Sequence, residues 1–85
     1  MEGFENWLRE RGISLKGSWD IVSRLRRLNK FFPVDVTVDF PYAVVEMEKK
    51  EEYRALSRCV KSQIKRAMKL YYEFKTETSE KNQEH

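Results

Sequence analysis

At 85 residues the chain suits one small domain, and no apolar run approaches the roughly 20 residues that a membrane-spanning helix needs. A single cysteine, Cys59, excludes an internal disulfide and a zinc site built of thiolates alone, and the acidic start Met1-Glu2-Gly3-Phe4-Glu5 is unlike a secretory signal. A reduced, cytoplasmic protein with no membrane attachment is expected. The net charge is only +3, but it is segregated. Residues 1–32 hold seven Lys/Arg against four Asp/Glu, residues 33–55 three against six, residues 56–75 six against one, and residues 76–85 one against three. Two basic blocks therefore flank an acidic one, and fields of one sign attract polyanions.

The first helix is expected from Glu2 to about Arg11. Phe4, Trp7 and Leu8 fall at helical spacing, Glu5 and Arg9 pair at i,i+4, and Gly12 suits a left-handed stop. A second helix begins near Ser14 or Ser18, either of which suits the N-cap, and runs to Phe32. Ile21, Val22, Leu25, Leu28 and Phe32 make its buried face, and Pro33 stops it. Val34, Val36, Val38 and Phe40 then alternate with polar residues. Period two suits a strand, but a lone strand has no partner, so an extended connection over 34–40 is expected, with strand pairing in a homodimer as the rival.

Pro41 suits the first turn of a third helix, expected over Tyr42–Arg54 with Val44, Val45, Met47 and Tyr53 inward. The fourth follows Ser57 to about Lys75, with Val60, Ile64, Ala67, Met68, Tyr71 and Phe74 as its apolar face. Residues 76–85 lack apolar residues and are expected to form a disordered polar tail or linker after a domain spanning 1–75.

At 100° per residue, Trp19, Ser23, Arg26 and Lys30 share one stripe of the second helix, opposite Ile21, Leu25 and Leu28, with Lys16 and Arg27 alongside. Arg and Lys there suit phosphates or base edges, and Trp19 suits stacking; the alternative is that Trp19 covers a neighbouring helix or partner. On the last helix Arg58, Lys61, Ser62, Lys65, Lys69 and Tyr72 cluster on one side, with Arg66 at the margin. Such a face suits a nucleic-acid backbone, or is simply solvated. The two helices also match in apolar pattern at an offset of 43 residues: Ser14 with Ser57, Ile21 with Ile64, Leu25 with Met68, Leu28 with Tyr71, Phe31 with Phe74. That pattern suggests two similar helical hairpins.

Enzymatic chemistry finds no footing. Gly3, Gly12 and Gly17 are scattered, no Cys/His spacing suits a metal, and the one histidine, His85, ends the polar tail. Glu46, Glu48, Glu51 and Glu52 read as an exposed charge run rather than an acid/base pair. Neither catalysis, cofactor nor metal is expected.

The stretch Phe4-Glu5-Asn6-Trp7-Leu8-Arg9-Glu10-Arg11-Gly12-Ile13-Ser14, then Val22-Ser23-Arg24-Leu25-Arg26-Arg27-Leu28, resembles the N-terminal, SAM-like core-binding domain of tyrosine recombinases (phage integrases). Ser62-Gln63-Ile64-Lys65-Arg66-Ala67-Met68-Lys69-Leu70-Tyr71-Tyr72-Glu73-Phe74 resembles the family's last helix. Gly17 stands where the family usually has Thr, and Ile21 where it has an aromatic. The resemblance implies an all-α, four-helix bundle of two crossed hairpins that binds double-stranded DNA through its second and fourth helices. It assigns contact to the two basic faces: Lys16, Trp19, Ser23, Arg26, Arg27 and Lys30, then Arg58, Lys61, Lys65 and Lys69. Strand cleavage in that family belongs to a separate catalytic domain, whose constellation this chain lacks. The rival expectation is a protein-interaction or dimerisation module using Trp19 and residues 34–40.

Overall fold

The computed structural model describes the backbone of residues 3–83 and the side chains of residues 3–78. Regular structure among the described residues is entirely helical: α1 (Phe4–Glu10), α2 (Leu15–Asn29), α3 (Phe40–Glu48), α4 (Glu51–Arg54) and α5 (Arg58–Gln83). The expected helix start at Glu2, and Glu84 and His85 of the expected tail, lie outside the described residues.

The α1–α2 turn follows from two glycines. Gly12 takes φ +90°, which a Cβ would strain. Its amide donates to Arg9 O at 3.0 Å and that of Ile13 to Leu8 O at 3.2 Å, the paired bonds of a Schellman stop. Ser14 rather than Ser18 caps α2, its Oγ accepting from Gly17 N at 3.0 Å. A Cβ on Gly17 would lie 3.1 Å from Ser14 Oγ and 3.2 Å from Ile13 Cγ2, so a bare residue lets the cap close. Ser18 is fully buried instead.

Helix α2 ends at Asn29, short of the expected Phe32. Pro33 disfavours a helical Phe32, and Asn29 Oδ1 takes the Val34 amide at 3.0 Å, turning the chain away. The connection that follows is not extended throughout. Asp35 Oδ1 accepts from Thr37 N at 2.9 Å and Thr37 Oγ1 at 2.6 Å, folding a turn. Val34 and Val38 pack on the core while Val36 is exposed, and Phe40 is already helical. Tyr72 of α5 fastens this loop, sharing its hydroxyl proton between Asp35 O at 2.7 Å and Val38 O at 2.8 Å.

The expected third helix is two. Lys50 is extended (φ −73°, ψ 133°) and separates α3 from α4. In one straight helix Met47 and Tyr53 would point about 120° apart. The break buries both, and Ala43 rather than Val45 completes the inward face. Ser57 caps α5 as expected, with Val60 N 3.3 Å from its Oγ.

Helix α5 continues through Gln83, so the backbone of residues 76–83 is helical where a disordered tail or a linker was expected. Glu77 gives the extension a packing role, accepting from the Trp7 indole and from Arg11 Nη2, the latter at 2.9 Å. Arg11 lies over the Trp7 ring at 4.1 Å, and Phe4, Trp7, Tyr71 and Phe74 form the aromatic cluster beneath. A polar sequence signals disorder only when nothing nearby needs its polar groups.

Helices α2 and α5 make the most extensive helix–helix contact, α1 packs on both, and α3 packs on α5. Leu8, Leu25, Leu28, Met47, Ile64 and Met68 fill the centre, fully buried.

Candidate nucleic-acid interface

Burying Ile21, Val22, Leu25 and Leu28 turns the opposite side of α2 outward. Trp19, Ser23, Arg26 and Lys30 are all exposed on that side, with Lys16 and Arg27 beside them. Going round the helix from Trp19, Lys16 lies at about 60°, Arg27 at about 80° and Arg24 at about 140°, next to the apolar face. Arg24 is correspondingly half-buried. Among the described residues Lys16, Arg24, Arg26, Arg27 and Lys30 have no ion-pair partner, and Asp20 is the lone acid of α2.

Trp19 is 64% exposed and stands outside the core. It occupies the α1 flank of α2, where it lines a shallow hollow with Leu15, Lys16 and Glu5. Leu15 is 58% exposed. Trp19 thus sits at the edge of the cationic surface, beside an acid, and not at its middle.

The basic face expected on α5 is divided. Lys65 Nζ lies 2.9 Å from Glu48 Oε2 of α3, and this hydrogen bond raises the Lys65 pKa above the ordinary lysine value. Lys61 stands over the Tyr53 ring of α4 at 5.6 Å. Tyr72 is committed to the 35–38 loop, and its pKa is raised by burial and then by Asp35 and Asp39. These three positions hold α3, α4 and the loop onto α5. Arg58, Ser62 and Lys69 remain exposed, and Lys69 borders a hollow shared with Phe40, Tyr72 and Glu73.

Arg66, placed at the margin by its sequence position, is exposed on the α2 side of α5. With Gln63 it faces Asp20 and Arg24 across the groove between the two helices. Neither Arg24 nor Arg66 is among the residues expected at the site. The signal for both was their place at the edge of an apolar face, where a long cationic side chain lies over its own helix and reaches the next one.

The acidic block lies in the 33–39 loop, α3 and α4. Asp35 there has its carboxyl pKa lowered by the side-chain and backbone hydrogen bonds of Thr37. Among the described residues no group of three His, Cys, Asp or Glu side chains is placed to hold a metal, and no helix is long and apolar enough to cross a membrane. Comparisons of the chain with protein-family models, with curated proteins and with solved structures find no match.

Proposed function

We propose that this chain is a DNA-binding module that contacts duplex DNA with the outward face of α2, flanked by Arg58, Arg66 and Lys69 of α5. The observation that carries the reading is the set of four exposed cations on the outward face of α2 and its C-cap, Lys16, Arg26, Arg27 and Lys30, with no ion-pair partner among the described residues. Elsewhere Arg11 is paired with Glu77, Lys65 with Glu48, and Lys61 lies over the Tyr53 ring. Those of α2 remain available to phosphates, which dominate non-specific affinity. A single helix about 10–12 Å across matches the roughly 12 Å major groove, and α2 is about 22 Å long.

The fold class suits the SAM-like arrangement of recombinase core-binding domains. The short turn Arg11–Ser14 joins α1 and α2, and Ala55–Ser57 joins α4 to α5, giving two candidate hairpins. In this reading Trp19 and Leu15 supply apolar contact at one flank. A second reading, a protein-contact module, draws on Tyr42 and Val45 of α3, which are 60% and 50% exposed.

The test is a mobility shift on mixed-sequence duplex DNA at low and moderate salt. Binding that weakens steeply with salt and is lost in the quadruple variant Lys16→Gln/Arg26→Gln/Arg27→Gln/Lys30→Gln supports DNA contact through α2. Absence of binding at low salt, or binding indifferent to those substitutions, rejects it.

A further inference from the structure

Two helices lying side by side span about 20 Å, so α2 and α5 do not fit together into one major groove of about 12 Å. Their shared seam must meet something narrower. The seam is a groove of about 190 Å³, below the roughly 300–1,000 Å³ of small-molecule sites. Gly17, Asp20, the buried Ile21 and Arg24 line it from α2, Gln63 and Arg66 from α5, and Ile13 from the turn before α2. Neither arginine has an ion-pair partner among the described residues.

We infer that this groove seats one phosphodiester strand, gripped from both sides by Arg24 and Arg66. The inference rests on the DNA-binding reading and adds to it a site separate from the Trp19–Lys30 stripe. Guanidinium groups are planar forks that match phosphate oxygens two at a time, and one fork from each helix lines this groove. Gln63 contributes an amide N–H beside Arg66. Asp20, one turn before Arg24 and lining the same groove, opposes an anion there. The grip also fixes the angle of α2 on the duplex, because the strand held at the seam is the wall of the groove that α2 enters.

The test measures affinity of the whole chain for a mixed-sequence duplex across a salt series, for Arg24→Gln, Arg66→Gln, both together, and Asp20→Asn. Each neutralised phosphate contributes about 0.9 to the slope of log K against log salt. If one phosphate is shared, each single variant binds several-fold more weakly. The second substitution then costs less than the first, and the double variant loses about 0.9 of slope. Asp20→Asn binds more tightly. Thermal unfolding of each variant checks that it is folded, and Arg24→Lys, which keeps the charge and loses the fork, is expected to weaken binding with the slope retained. Wild-type affinity in the double variant, or an additive slope loss of about 1.8 that signals two separate phosphates, overturns the grip while DNA binding through α2 stands. A wild-type chain that does not bind DNA at low salt overturns both.

Discussion

Lys65 Nζ lies 2.9 Å from Glu48 Oε2 and ties the middle of α5 to the end of α3. The pair takes one charge out of the surface available to an anion. Glu48→Gln therefore changes stability by no more than about 1 kcal/mol, the scale of an exposed pair, yet tightens DNA binding and raises its salt slope by up to about 0.9. Lys65→Gln weakens binding less than Arg26→Gln. Paired titrations of the three variants check the order, and equal losses for Lys65 and Arg26 contradict it.

Tyr72 holds the 35–38 loop through its hydroxyl, so Tyr72→Phe is expected to cost about 1 kcal/mol in urea unfolding. The same group sets a pH dependence. Its pKa is raised in the folded chain, so its contribution is complete below the ordinary tyrosine value of about 10 and is lost as pH rises through the higher folded value. Unfolding curves from pH 8 upward should show a smaller alkaline loss in Tyr72→Phe than in wild type. Identical losses argue against the assignment.

The Trp7–Glu77 contact makes the last turns of α5 part of the fold. Glu77→Ala is expected to destabilise by about 1–2 kcal/mol, since the indole N–H loses its acceptor and Arg11 keeps only its 3.8 Å pairing with Glu73. Trp7→Ala should cost about 3 kcal/mol or more, while Trp19→Ala should fall within about 0.5 kcal/mol. Urea unfolding of the three variants checks the ranking, and a Trp19→Ala loss as large as that of Trp7→Ala contradicts it.

Ser18 Oγ is buried without a hydrogen-bond partner among the described residues. Removing an unsatisfied buried hydroxyl is neutral or favourable, so Ser18→Ala should match or exceed wild-type stability by up to about 1 kcal/mol. A loss of more than about 1 kcal/mol in the same unfolding assay would show that Ser18 has a partner.

The helices of this fold were legible wherever apolar periodicity and end signals agreed. Gly12, Ser57 and the Ile21–Leu28 face are where the sequence puts them. What escaped was tertiary in origin. The break at Lys50 follows from burying both Met47 and Tyr53, a demand invisible in the charge run around it. The turn at Asp35–Thr37 overrode an alternation that suits a strand. The contacts of Glu77 in the extension of α5 are to Trp7 and Arg11, some 70 residues away in sequence. At the candidate site, wheel positions gave the exposed stripe of α2 but not the loss of Lys61, Lys65 and Tyr72 to intramolecular contacts. Nor did they give the shared groove lined by Arg24 and Arg66, which depends on how α2 and α5 are laid against each other.

The proposed contact of duplex DNA with the outward face of α2 and the adjoining side of α5 is tested by an NMR titration of the chain with a short duplex at low salt, following backbone amides. The largest shifts are expected on residues 16–30 and around Arg58, Gln63, Arg66 and Lys69, with residues 42–54 little affected and all shifts reversed by added salt. Shifts centred on Tyr42 and Val45, or none at all at low salt, would contradict it.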